Sequence, residues 1–104
     1  MFVAYDVSLD LIRSLRPVVE SLAVKDKDLA DQLQRAATSV CLNLGEGSRR
    51  TKGDQRRFYG YSSGSAMEVR AALEAADAWG WIGDVTEPRR LLDRLLGLLW
   101  GLTH

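Results

Sequence analysis

The sequence predicts an all-α protein of four helices in one domain over residues 1–104. Three observations support this. Apolar residues recur at steps of three and four through four separate segments, the spacing of one helix face. Only two prolines occur, while leucine, alanine and arginine, all good helix formers, are plentiful. A chain of 104 residues with 46% hydrophobic and 27% charged residues suits a soluble domain with a single core.

The first helix is expected over Tyr5–Ala23, where Val7, Leu11, Leu15, Val18 and Leu22 form one stripe with Ile12 and Val19 beside it. Pro17 lies inside this pattern, which continues past it, so it should bend the helix rather than end it. Asp26 or Asp28 then supplies a cap for a second helix over Asp28–Glu46. Its core stripe is Leu29, Leu33, Ala36, Ala37, Val40 and Leu44. Beside it runs a polar ridge of Gln32, Arg35, Ser39, Asn43 and Glu46, also at helical spacing. Gly47 suits a left-handed residue closing the helix.

A third helix is expected over Lys52–Trp79, with Thr51 and Asp54 as its start signal. Phe58, Ser62, Ser65, Val69, Ala72 and Ala76 share one face. Gly60, Gly64, Met67, Ala71, Ala75 and Ala78 lie roughly opposite, so this helix needs neighbours on both sides. Gly80 ends it. Asp84 and Glu87 signal a fourth helix, with Pro88 tolerated in its first turn. Leucines go most of the way round that helix. One stripe would serve the core, and the remainder would be a large exposed patch, so self-association is expected. The expected interface residues are Leu92, Leu95, Leu99 and Met67.

Zero formal net charge argues against strong whole-chain attraction to nucleic acid or membrane. A single cysteine, Cys41, can make neither an intrachain disulfide nor a cysteine metal cage and reads as a small core residue. No N-terminal stretch reads as a signal peptide. The leucine-rich C-terminal segment is broken by Asp93 and Arg94 and is too short to span a bilayer. A bacterial cytoplasmic protein without membrane contact is therefore the expectation.

The run SVCLNLGEGSRR, preceded by QLQRAA and followed by FYGYSSGSAMEVRAALEAADAWGWI, resembles the four-helix bundle proteins of the 23S rRNA intervening-sequence family. Its motif pieces fall on Gln32, Arg35 and Ala36, on Ser39, Asn43, Glu46, Gly47 and Arg50, and on Gly64, Ser65 and Glu68. The chain departs at Leu44-Gly45, where Ile-Ala is usual. The resemblance implies an antiparallel up-and-down four-helix bundle assembled into a homo-oligomeric ring, typically of five subunits. The family is named for a genomic position, within insertions in rRNA genes, and not for an activity. A related protein of diversity-generating retroelements shares the fold and is thought to bind nucleic acid, which is an analogy at the level of fold.

Two readings compete for the polar ridge: a binding surface, or a network tying the second helix to the third through Ser65 and Glu68, with Arg35 paired to Glu68. Arg49, Arg50, Lys52, Arg56 and Arg57, set against Asp54, form a basic loop and first turn. Such a cluster either caps the preceding helix or contacts phosphates, and repetition around a ring would gather many cations on one rim. Tyr59 and Tyr61 adjoin it and bring base stacking within reach, Tyr61 being the one assigned to packing. Glu46 and Glu68 are the carboxylates available for metal or acid–base work, but the lone histidine is His104. No catalytic set, metal or cofactor is expected. The expected role is a non-enzymatic accessory protein that binds RNA or DNA through the basic rim. The alternative is a protein-interaction scaffold that binds no nucleic acid.

Overall fold

Four α-helices and no strands make up the computed structural model, which describes residues 1–104: α1 Val3–Lys25, α2 Lys27–Gly47, α3 Lys52–Ala78 and α4 Thr86–Thr103. A 27-residue helix such as α3 is about 40 Å long at 1.5 Å per residue. This matches the molecule's long dimension in an envelope of 42 × 22 × 20 Å. Each helix packs on two others: α2 on α1 and α3, and α4 on α3 and α1.

The periodic stripes become the core. Val7, Leu11, Leu15 and Leu22 of α1 and Leu33, Ala36, Ala37, Val40 and Leu44 of α2 are buried in one cluster with α3 and α4. α1 runs unbroken through Pro17. Asp26 alone separates α1 from α2 and caps the latter, accepting the Leu29 N–H at 2.9 Å. The buried face of α3 is rotated slightly from the expected one: Tyr59, Ala66 and Leu73 are inside with Ser62, Val69, Ala72 and Ala76, while Phe58 and Ser65 sit at the margin. Gly80, at φ 74°, reverses the chain after α3 and lets Trp79 and Trp81 stack at 5.2 Å.

Three expectations need correction. Gly47 is not a left-handed terminator, for it is the last residue of α2 and Gly80 alone has positive φ. Gly47 is buried, and a Cβ there would lie 2.7 Å from Tyr59 Cε1, so closeness to α3 is what requires glycine. Thr51 occupies the N-cap of α3, but its side chain makes no capping bond. Leu92, Leu95 and Leu99 are not an external interface: they are 2%, 0% and 0% exposed, inside the chain's own core. Four helices closing around one core consume these leucines, leaving Leu96 and Leu98 half-buried and Trp100 exposed on α4. Met67 does lie outside, at 49% exposure, on the face of α3 where Gly60, Gly64, Ala71, Ala75 and Ala78 are also exposed. No helix is long and apolar enough to cross a membrane.

Candidate nucleic-acid interface

The polar ridge divides along its length. In the middle, Ser65 of α3 ties to α2 by donating to Ser39 Oγ at 2.9 Å, and within α2 Asn43 Nδ2 steadies Ser39 by donating to its hydroxyl at 3.1 Å and carbonyl at 2.9 Å. Deeper in, the fully buried Ser62 hydroxyl donates to Val40 O at 2.9 Å. Such bonds contribute about 1 kcal/mol each and hold two helices in one relative position. At the ridge's N-terminal end, Gln32 and Arg35 are exposed, as is Glu68. The expected Arg35–Glu68 pair is absent, and neither residue makes any ion pair within 4.0 Å. Gln32 and Glu68 face one another only across a shallow groove with Leu29, Ala71, Ala72 and Ala75.

At the other end the ridge runs into the basic corner between α2 and α3. Glu46 turns toward its own helix terminus rather than α3. It accepts from Arg50 Nε at 2.8 Å and lies 3.4 Å from an Arg49 terminal nitrogen. Arg50 and Arg57 place their guanidinium carbons 5.0 and 5.4 Å from the centre of the Phe58 ring, which meets Tyr61 edge-on at 5.6 Å. Arg57 also lies 3.4 Å from Asp54. Gln55, which carried no signal of its own in the sequence, donates to Gly47 O at 3.2 Å and ties the end of α2 to the start of α3. The corner thus sets five cations against two carboxylates, Glu46 and Asp54.

The five cations are not equivalent. Arg49, Arg50 and Arg57 have carboxylate partners, whereas Lys52 and Arg56 are exposed with none within 4.0 Å. The tyrosines are reversed from expectation. Tyr59 is buried against Gly47 and tilts on Phe2 at 5.6 Å, while Tyr61 is 51% exposed. Burial pushes the Tyr59 hydroxyl pKa up from its ordinary value. Glu46 and Glu68 belong to no group of acids, histidines and cysteines spaced to hold a metal ion.

Residues 2–100 match the family model described as 23S rRNA-intervening sequence protein. No curated protein matches the chain.

Proposed function

The chain belongs to the family of 23S rRNA-intervening sequence proteins, and on that premise we propose that it is a non-enzymatic, cytoplasmic, self-assembling four-helix bundle that binds RNA or DNA through its α2–α3 corner. The observation carrying this reading is the exposed cation cluster Arg49, Arg50, Lys52, Arg56 and Arg57, two of whose members have no acidic partner. Side chains of this kind neutralise backbone phosphates without reading sequence. The half-exposed Tyr61 beside Phe58 adds a surface for an unpaired base.

An antiparallel up-and-down order of helices is supported by contacts along α2 and α3, where Gly47 meets Tyr59, Val40 meets Ser62 and Ser39 meets Ser65. Assembly is supported by Leu42 and Met67, large apolar side chains exposed on α2 and α3 at 65% and 49%. In this reading the interface draws on these exposed side chains and not on the buried Leu92, Leu95 and Leu99. A ring of five subunits is the favoured form and rests on the family resemblance alone. Repetition would bring one basic corner per subunit to a shared rim.

The test is binding of a structured RNA and a duplex DNA at low salt, for the natural chain and for a variant with Arg49, Arg50, Arg56 and Arg57 changed to Ala. Binding by the first and its loss in the second is the expected result. No binding at low salt rejects the nucleic-acid role and favours a protein-interaction scaffold.

A further inference from the structure

Beside the guanidinium–phenyl cluster, the same end of the bundle contains a pocket of about 450 Å³ lined by Lys52, Gly53, Gln55, Arg56, Tyr59 and Leu102. It lies between the first turns of α3 and the last turn of α4. Four features converge on it. Lys52 and Arg56, one helical turn apart, are the two cations of the corner without a carboxylate partner. The first N–H groups of α3 have no intrahelical acceptors, as at any helix start. Thr51 leaves them uncapped, unlike Asp26 at the start of α2. At Gly53 a Cβ would meet nothing within 4 Å, so the backbone there is open to approach.

The fourth feature is independent of the helix terminus. Tyr59 is 5% exposed, and its hydroxyl exchanges no hydrogen bond with any group of the chain. No polar side-chain atom sealed from solvent lacks a partner in this molecule, so the hydroxyl must sit at an opening. The opening that Tyr59 lines is this pocket. Tyr59 thus lines a space flanked by two free cations and a helix N-terminus, and its solvent-reached hydroxyl has no partner within the chain. Nearby competitors are already occupied: Asp54 faces Arg57, and Gln55 is committed to Gly47 O. The Thr103 hydroxyl turns back onto Leu99 O at 2.8 Å, leaving Leu102 as the contribution of α4 to the wall.

We propose that this pocket is a binding site for a phosphate group, held by Lys52, Arg56, the Tyr59 hydroxyl and the first backbone N–H groups of α3. A tetrahedral dianion matches this set in sign and in its number of acceptor oxygens. The group is either the terminal phosphate of a nucleic-acid strand or a small phosphate compound. The site rests on the basic-corner reading only for the first of these sources.

The test is titration of inorganic phosphate into the full chain at low ionic strength, followed by amide chemical shifts and calorimetry. Saturable shifts centred on Lys52, Gly53 and Asp54 are expected. Lys52→Ala or Arg56→Ala should each weaken binding by about tenfold, the loss of one charge-assisted contact. Tyr59→Phe, which keeps the ring against Gly47, should weaken it several-fold. Absence of saturation at millimolar phosphate, or saturation indifferent to Lys52→Ala and Arg56→Ala, overturns the site, whatever Tyr59→Phe does to folding. A second arm compares one oligonucleotide with and without a 5′-phosphate. Tighter binding of the phosphorylated strand identifies a strand terminus as the source. Equal or absent strand binding, with the phosphate titration intact, identifies a small phosphate compound and upholds the site even if the nucleic-acid role fails. Strand binding with no phosphate response removes the site and leaves the corner reading standing.

Discussion

Gly47 and Tyr59 approach so closely that a methyl group on Gly47 would lie 2.7 Å from Tyr59 Cε1 and 2.9 Å from Cδ1. The edge of Tyr59 therefore occupies the space a side chain would need at the end of α2. Gly47→Ala is expected to destabilise the fold by about 1–3 kcal/mol, the usual cost of overpacking a filled site. Chemical denaturation checks this. Combining it with Tyr59→Leu should give a loss smaller than the sum of the two, because the smaller side chain vacates the contested space.

The α2–α3 tie makes unequal demands on the motif residues. Ser62→Ala removes a buried hydroxyl that donates to Val40 O and should cost about 1 kcal/mol. Glu68→Ala touches an exposed carboxylate without an ion pair and should stay within about 0.5 kcal/mol. Urea midpoints of the two variants separate the outcomes, and a large loss in Glu68→Ala would mean that it has a partner in the assembly.

Helix limits and most core stripes were legible in the sequence because apolar periodicity is a local property. What failed was non-local. Gly47 read as a left-handed terminator because nothing adjacent in sequence announces Tyr59, twelve residues on and across a helix interface. Leu92, Leu95 and Leu99 read as an external patch because a helix apolar on most sides does not reveal which stripe its neighbours cover. Arg35 and Glu68 were expected to pair on helical phase alone, whereas Ser65–Ser39 and Ser62–Val40 make the connection between α2 and α3. The basic corner was visible as composition, yet its division into paired and unpaired cations depends on how Glu46 and Asp54 turn.

The buried leucines and the exposed apolar residues should part company in experiment. Leu95→Ala is expected to cost about 2–5 kcal/mol, as for other fully buried leucines. Met67→Glu should leave the isolated subunit folded and lower the assembled mass. Light scattering together with circular dichroism distinguishes these effects. A smaller assembly at unchanged helicity is expected for Met67→Glu, and an unchanged mass would move the interface elsewhere.

Asp84 gives a pH-dependent contribution to the start of α4. Hydrogen bonds from the Thr86 hydroxyl at 2.6 Å and the Thr86 N–H at 2.9 Å hold its carboxyl below the usual carboxylate range. A pKa lower in the folded than in the unfolded chain stabilises the fold above the unfolded value, about 4, and that contribution is lost as pH falls through the folded one. Asp84→Ala should therefore lower the melting temperature modestly at pH 7. The difference from the natural chain should shrink in strongly acidic buffer, which melting curves across the pH range can measure. A difference constant with pH would show that the carboxylate's charge is not involved.

The most direct test of the basic corner is the salt dependence of duplex binding by single-cation variants. Each phosphate contact contributes about −0.9 to the slope of log affinity against log salt. Lys52→Ala and Arg56→Ala, which remove unpaired cations, should each flatten that slope by nearly one contact. Arg49→Ala and Arg57→Ala, whose guanidiniums already face Glu46 and Asp54, should flatten it less. Slopes identical to that of the natural chain in all four variants, or no duplex binding at low salt, would contradict the assignment of this corner to nucleic acid.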